Sequence, residues 1–173
     1  MSKNTNYSLD NAHSEIAFKV KHMMISTVTG HFEDFEATAK TDGDDFKNAD
    51  FSFSAKTASI NTKNKDRDAH LRSDDFFNAE KFPEMKFVSK SFDGKKLVGD
   101  LTIRDITKEV VLDAELNGVA EDPYGQTKAG FEMTGTINRK DFNLTWSAVT
   151  EAGSIVVSDK VKMVVNVQFT KQA

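Results

Sequence analysis

Apolar and polar residues alternate with a period of two along most of this chain, which is the pattern of half-buried β-strands. In the first alternating segment, Ile16, Phe18 and Val20 share one face, whereas Lys19 and Lys21 share the other. Later segments repeat this pattern with different residues. The sequence therefore predicts eight strands, over residues 13–23, 27–40, 49–60, 84–92, 95–103, 107–119, 127–139 and 158–170.

The connections between most of these segments are short. The dipeptides Asp42-Gly43 and Asp93-Gly94 are typical of tight hairpin turns, because glycine adopts the positive φ angles that such turns need. The three-residue spacing from Phe32 to Phe35 breaks the alternation within one predicted strand. We therefore expect a β-bulge between these two residues.

One segment, residues 61–83, does not alternate and is rich in residues that are compatible with a helix. It predicts a short helix from about Lys65 to Arg72, followed by a turn that Ser73 caps. Pro83 ends the segment before the next strand begins.

Eight strands with one helical excursion favour an all-β fold, a closed eight-stranded antiparallel barrel of the up-and-down type. Closure also removes exposed sheet edges. A two-sheet sandwich would give a similar pattern and stays an alternative. The length fits a single domain, which we place at residues 7–170 after a flexible N-terminus at residues 1–6.

The apolar face of each predicted strand must point into the barrel. An eight-stranded barrel either fills its interior with side chains or encloses one ligand, and the pattern alone favours a packed core. Gly30, Gly99 and Gly135 lie on the inward faces and leave space there, although glycines at these positions also suit bends in a barrel.

Charge and composition exclude several classes of function. The 173 residues include 23 basic and 27 acidic side chains, and the net charge of −4 argues against nucleic acid as the main partner. Without cysteine, the chain has no disulfide, thiolate metal site or cysteine nucleophile. Fourteen of the hydrophobic residues are Phe, against one Trp and two Tyr, so the apolar content is concentrated in rings without polar groups.

The N-terminal residues lack the apolar core of a secretory signal, and no stretch approaches the roughly 20 apolar residues of a transmembrane helix. From the sequence as given we expect a cytoplasmic protein without a transmembrane segment. A periplasmic or secreted protein whose signal had been removed would look the same.

Four motifs resemble those of the YceI-like family. The segment YSLDNAHSEIAFKVKH and the V-x-G-x-F motif at Val28 to Phe32 resemble the opening of the family's sequences. The segment SINTKNKDRDAHLRSDDFFNAEKFPEMKF resembles the family's central signature. The family's later motifs resemble VGDLTIRDITKEV and INRKDFN, so the resemblance covers nearly the whole chain. Asp105 and Asn143 stand where we expect glycine, and both residue types tolerate left-handed backbone geometry.

The resemblance implies a lipocalin-like barrel that binds a polyisoprenoid, a quinone or a fatty-acid-like lipid, and that carries or stores it without catalysing a reaction. It therefore reverses the preference for a packed core. We expect no cofactor other than this lipid ligand, and a homodimer is a further expectation. The residues predicted to contact the ligand lie on the apolar faces or in an adjoining loop: Phe18, Val20, His22, Phe53, Phe87, Leu101, Phe131, Met133, Trp146, Met163 and Val165.

Two polar residues share the inward faces with these apolar side chains. His22 would either contact a lipid head group or be satisfied by the backbone or another core polar group, and we favour the second interpretation. Arg139 needs an acidic or carbonyl partner, for which Asp68 and Asp141 are candidates. We interpret Arg139 as a structural tie between the barrel end and the helical segment.

The part of the chain that matches the central signature contains a charged cluster of Arg67, Asp68, His70 and Arg72. One hypothesis places this cluster at the cavity mouth, where it would meet a polar or phosphorylated head group. The other is structural, with a helical pair between Asp68 and Arg72 and an anchor onto the barrel. The neighbouring acidic residues favour the structural hypothesis.

Motifs for metal binding and catalysis are missing from the sequence. The four histidines, His13, His22, His31 and His70, form no H-x-x-x-H or H-x-H pair, so only a convergence of His13 and His70 would offer a metal site. No nucleophile elbow, phosphate loop or dinucleotide fingerprint is present. The alternatives to a lipid carrier are a hydrolase or isomerase that uses His22 with a nearby carboxylate, and an interaction module with a filled core.

Overall fold

The computed structural model describes residues 5–23, 25–42, 45–144 and 157–172 of the chain. The α-helix α1 spans Lys65–Arg72, and short 3-10 turns span Asn11–His13, Thr57–Ser59 and Arg139–Phe142. The strand segments in this part of the chain are β1 (Thr5–Leu9), β2 (Glu15–His22), β3 (Ser26–Phe32), β4 (Phe35–Asp42), β5 (Asp45–Lys56), β6 (Ile60–Asn61), β7 (Glu84–Phe92), β8 (Lys96–Ile103), β9 (Ile106–Glu121), β10 (Thr127–Asn138) and β11 (Val157–Lys171).

These eleven segments form a closed antiparallel barrel. The barrel has eight strands, because three of them are each divided into two segments. Short interruptions separate β1 from β2, β3 from β4, and β5 from β6. Each barrel strand pairs with the next along the chain, and β11 closes the barrel by pairing with both β1 and β2. The predicted up-and-down barrel is confirmed, and the sandwich alternative is wrong.

All eight predicted strands occur, and the break in alternation has a different cause from the one expected. Phe32 ends β3 and Phe35 begins β4, and a two-residue bend at Glu33 and Asp34 interrupts the strand in place of a bulge. Both phenylalanine rings are buried on the inner side. The bend thus lets the two rings face the interior although their spacing does not fit a continuous strand.

The predicted hairpin at Asp93-Gly94 is present. Gly94 has a φ of +98°, and a carboxylate oxygen of Asp93 accepts hydrogen bonds from the backbone N–H groups of Lys95 and Lys96. These two bonds lower the pKa of Asp93. The glycine of the other predicted hairpin, Gly43, lies outside the described residues.

The first strand was missed by the sequence analysis. β1 starts at Thr5, two residues before the expected start of the domain, and it pairs with both β4 and β11. Its only large apolar residues are Tyr7, which is 1% exposed, and Leu9. A five-residue strand with polar neighbours does not give the longer alternation from which the other strands were predicted.

The helix has the bounds predicted from the sequence. It begins after Asn64, whose side chain accepts a hydrogen bond of 3.0 Å from the backbone N–H of Arg67, as an N-cap residue does. Acidic residues lie in its first turn and basic residues in its last, in agreement with the helix dipole. Among the described residues, no helix is long and apolar enough to cross a membrane.

The end of the barrel remote from α1 is filled by aromatic side chains. Phe46, Phe51, Phe92, Phe131 and Phe169 are all nearly inaccessible to solvent and form what we call the aromatic cluster. Neighbouring rings in this cluster have centroids 5.0 to 6.5 Å apart, the range of favourable edge-to-face and offset contacts. The interior is therefore packed at this end, which leaves the half next to α1 for a cavity.

Candidate ligand cavity

A cavity of about 300 Å³ occupies the half of the barrel next to α1. Its wall is formed by inward side chains of the strands, and side chains from α1 and the residues after it cover its end. The barrel thus combines the two interiors considered from the sequence, since it is packed at one end and hollow at the other.

Most of the residues predicted to contact a ligand line this cavity. They are Phe18, Val20, His22, Phe53, Phe87, Leu101, Met133, Met163 and Val165. Phe131 does not line it, so that its prediction as a lining residue is wrong: it belongs to the aromatic cluster, with its ring centroid 5.2 Å from that of Phe51. Trp146 lies outside the described residues.

The last turn of α1 and the segment after it supply lining residues that were not predicted from the sequence. Leu71, Phe76 and Phe77 line the cavity, and the ring of Phe77 meets that of Phe32 edge to face at 5.7 Å. The available signal was the occurrence of Leu71, Phe76 and Phe77 in a mostly polar part of the chain, around the end of a helix with no apolar stripe. These residues make the segment a cover for the hollow half of the barrel.

The inward glycines do not leave open space. The ring of Phe87 lies against Gly99, where an added Cβ would be 2.5 Å from its Cζ atom, and the ring of Phe18 lies against Gly30 in the same way. The δ2 methyl group of Leu112 lies against Gly135. The glycines therefore let large side chains lie flat against the barrel wall, which keeps these side chains out of the centre of the cavity.

The ionisable side chains that line the cavity are all basic. They are Lys21, His22, Arg67, His70, Lys86 and Arg139, and no Asp or Glu of the described residues is among the lining residues. Two of them direct their charge elsewhere, since Lys21 donates to the hydroxyl of Thr27 at 3.0 Å and Lys86 lies 3.5 Å from a carboxylate oxygen of Glu84.

His22 lies at the end of β2, and its side chain is exposed at the cavity mouth. The interpretation of His22 as a buried, satisfied core imidazole is therefore wrong. Its backbone carbonyl accepts a hydrogen bond of 3.2 Å from the N–H of Ile25, which closes the turn between β2 and β3. Its imidazole is in a position to meet the polar end of a ligand.

Arg67 and Asp68 meet at Thr62, just before the helix. One carboxylate oxygen of the buried Asp68 accepts hydrogen bonds from the backbone N–H and the hydroxyl of Thr62 at 2.8 and 2.5 Å. Arg67 donates to the hydroxyl and carbonyl oxygens of Thr62 at 2.8 and 2.7 Å. The helix is thereby fastened to the end of β6, as the structural hypothesis expected.

The predicted pair between Asp68 and Arg72 does not form within the described part of the chain. Asp68 points back toward Thr62, because two donors are available there, whereas Arg72 lies at the far end of the helix. His70 instead bonds Asp75 through its Nε2 atom at 2.8 Å, and its ring meets that of Phe76 at 5.1 Å. His70 therefore joins the cavity lining to the loop after α1.

Arg139 is buried and holds two parts of the chain together. It donates to the backbone carbonyls of Leu144, Val157 and Ser158, and it lies 3.7 Å from a carboxylate oxygen of Asp159. The expected partners were Asp68 and Asp141, and the expected tie was to the helical segment. These contacts instead join the 3-10 turn after β10 to Leu144 and to the start of β11. Burial lowers the pKa of the guanidinium, and the charge of Asp159 acts in the opposite direction.

No group of metal-ligating side chains occurs among the described residues. His13 bonds Asp10 in the turn after β1, whereas His70 bonds Asp75 after α1. The two histidines thus belong to separate parts of the barrel, and the convergence that would have offered a metal site does not occur.

A closed eight-stranded antiparallel barrel with an apolar interior and a helical cover over one end defines a lipocalin-like barrel. The chain matches the YceI-like domain over residues 7–169, and it belongs to this family. A UPF0312 protein of Staphylococcus aureus is 40% identical over 96% of this chain and 98% of its own length.

Two solved structures have the same fold. The YCEI protein of Campylobacter jejuni is 38% identical, with a TM-score of 0.75 over 95% of this chain and 97% of its own. A polyisoprenoid binding domain from Saccharophagus degradans is 15% identical, with a TM-score of 0.71 over 96% of this chain and 98% of its own. The family and fold expected from the sequence motifs are confirmed.

Proposed function

We propose that this protein binds one amphiphile with a long apolar chain, of the isoprenoid or a related type, and carries or stores it. The chain of the ligand occupies the hollow half of the barrel, and its polar head lies at the mouth. The observation that carries the proposal is the combination of an apolar wall with an ionisable lining that is entirely basic in the described part of the chain.

The cavity suits a flexible chain more than a rigid ring system. Its volume is at the lower end of the range for small-molecule pockets. Met85, Met133 and Met163 line it, and methionine side chains adapt to irregular shapes because they are unbranched and have three rotatable bonds. The structural relative from Saccharophagus degradans, described as a polyisoprenoid binding domain, agrees with this ligand class.

The basic lining favours a head group that carries negative charge or accepts hydrogen bonds. His22 is exposed at the mouth and can reach such a group without leaving water. The enzyme alternative needs a carboxylate near His22, and the described lining residues include none. The interaction-module alternative needs a filled interior, which the hollow half of the barrel does not provide.

The test is to identify lipids that remain with the purified protein by mass spectrometry, and then to titrate the delipidated protein with a polyprenyl phosphate and with the corresponding polyprenol. We expect binding of both probes in the wild type, tighter for the phosphate. Met163→Trp should weaken binding because the larger side chain takes up part of the cavity, while Phe92→Leu, in the aromatic cluster, should retain it.

Two results would overturn the proposal. One is equal binding by the wild type and by folded Met163→Trp, which would place the ligand outside the cavity. The other is conversion of the probe to a product on prolonged incubation, with conversion lost in His22→Ala and binding retained, which would make the protein an enzyme.

A further inference from the structure

Four lysines form a patch on the outer surface of the barrel near the cavity mouth. Lys19 on β2 and Lys162 on β11 are direct cross-strand partners, and Lys21 and Lys160 lie two residues further toward the mouth on the same strands. All four side chains are exposed. We call these residues the lysine patch.

The strands on either side of the lysine patch present uncharged side chains to it. On β3, Thr29 pairs with Lys19 and Thr27 pairs with Lys21. On β10, Thr136 and Asn138 pair with Lys162 and Lys160. The nearest acidic side chain along the chain, Asp159, is 3.4 Å from Lys140 and 3.7 Å from Arg139, which offset its charge.

Like charges directly opposite each other on a sheet destabilise it, so the pairing of Lys19 with Lys162 has a cost to the fold. Within the described residues, no ion pair offsets the charge of either lysine. The chain as a whole has a net charge of −4, so the positive charge of this face is opposite in sign to the net charge of the protein. A partner with negative charge would offset the repulsion.

An apolar tip adjoins the lysine patch. Ile25, in the turn between β2 and β3, is 81% exposed, and Met23, two residues earlier, has a φ of +51°. A single exposed apolar residue is common on protein surfaces. Here, however, it lies in the turn that joins the strand carrying Lys19 and Lys21 to β3, and His22 and Val28 on either side of this turn line the cavity.

We propose that the lysine patch and Ile25 dock this face of the barrel on a lipid bilayer that carries anionic head groups. The lysines meet the negative surface, and Ile25 enters the boundary between head groups and acyl chains, as the apolar residues of peripheral membrane proteins do. The cavity mouth then faces the bilayer. Docking on a bilayer is a property separate from ligand binding in the cavity. It rests on the proposed function only in that docking would bring the cavity mouth to a source of the lipid ligand.

A bilayer fits these observations better than a nucleic acid does. Both partners are anionic, but Ile25 at the tip is aliphatic and 81% exposed, which suits insertion between lipids and offers no ring on which a base could stack. The lysine patch contains four lysines, which is enough for the protein to be attracted to an anionic bilayer. This attraction should depend on the salt concentration and on the fraction of anionic lipid.

The test uses the delipidated full chain and sedimentation with vesicles of phosphatidylcholine, alone or mixed in equal amounts with phosphatidylglycerol. We expect binding only to the mixed vesicles, and weaker binding as salt is raised. Lys19→Gln with Lys162→Gln should lower the affinity about fivefold for each lysine, roughly 25-fold together. Ile25→Ser should also weaken binding but keep its salt dependence.

The matched control is Lys40→Gln with Lys95→Gln, which removes the same charge at the other end of the barrel and should leave vesicle binding close to that of the wild type. All of these variants should bind free polyprenyl phosphate as the wild type does, so the cavity proposal and the docking proposal can fail separately. The docking proposal is overturned if the two lysine pairs have equal effects, if phosphatidylcholine alone suffices, or if a DNA duplex is bound and the mixed vesicles are not.

Discussion

Gly30 and Phe18 are cross-strand partners on β3 and β2, and a Cβ atom on Gly30 would lie 2.3 Å from the Cζ atom of the Phe18 ring. This distance is shorter than any tolerable contact, so any side chain at position 30 moves the ring. The ring can move only toward the cavity, because the barrel wall lies behind it. The position of Phe18, and with it the free width of the cavity, therefore depends on a glycine on the neighbouring strand.

Gly30→Ala should lower the affinity for a polyprenyl phosphate and destabilise the fold by about 1–3 kcal/mol, because it overpacks the interior. Gly118→Ala is the control, since a Cβ atom there meets nothing within 4 Å. Urea unfolding and ligand titration measure the two effects. A Gly30→Ala variant with wild-type affinity would show that Phe18 does not limit the space for the ligand.

Asp68→Ala should destabilise the protein by roughly 1–3 kcal/mol, since the buried N–H and hydroxyl of Thr62 lose their shared acceptor. Asp66→Ala, an exposed residue in the first turn of the same helix, should cost less than about 1 kcal/mol. Urea unfolding of both variants checks this. Unchanged stability with lost ligand binding in Asp68→Ala would assign the residue to the head group instead.

Asp10 should contribute to stability in a pH-dependent manner. Burial acts to raise the pKa of its carboxyl, but hydrogen bonds from His13 at 2.9 Å and Lys128 at 3.2 Å hold that pKa below its usual value. Because the folded pKa is lowered, the contribution is complete above the unfolded pKa of about 3.9, and it is lost as the pH falls through the folded value.

Thermal unfolding between about pH 6 and about pH 2 tests this sign. The wild type should lose more stability over this interval than Asp10→Asn, which carries no titrating group at position 10. Parallel curves for the two proteins would mean that the contacts of Asp10 with His13 and Lys128 do not contribute.

Lys19→Glu should stabilise the fold by about 0.2–1 kcal/mol, since it replaces a like-charge cross-strand pair with an opposite-charge pair. Lys95→Glu, in the hairpin at the other end of the barrel, makes the same change in net charge without a lysine opposite it. The melting temperatures of the two variants at low salt are the measurement. A lower melting temperature for Lys19→Glu than for Lys95→Glu would contradict the repulsion inferred between Lys19 and Lys162.

The strands could be predicted from the sequence because each of them presents one face to the interior and one to water, and this alternation is visible over eight or more residues. The helix could be predicted because its signals are local: Asn64 caps it, and acidic and basic residues lie in its first and last turns. β1 lacks both kinds of signal. Its place is fixed by pairing with β4 and β11, which are distant in the sequence.

The candidate site could be predicted only in part, since alternation gives the face of a residue but not its depth in the barrel. Phe131 and Met133 share one face of β10, yet the first lies in the aromatic cluster and the second lines the cavity. Asp68 accepts from the backbone N–H and the hydroxyl of Thr62, and Arg139 donates to backbone carbonyls of Leu144 and of the start of β11. Backbone donors and acceptors are present at every residue, so a sequence does not show which of them a buried charge will use. A nearby residue of opposite charge is visible in the sequence, which is why ion pairs were predicted instead.

The aromatic cluster packs the barrel beyond the closed end of the cavity, and on the proposed function it limits how far the tail of the ligand can enter. Phe51, Phe92 and Phe131 do not line the cavity, but they fill the space beyond it. Tail length is therefore limited at the closed end of the barrel, while the head group is recognised at the mouth by residues on other elements. The two selectivities are separable. Changes among the phenylalanines can alter the tail length accepted without touching head-group preference, and changes at the mouth can do the reverse.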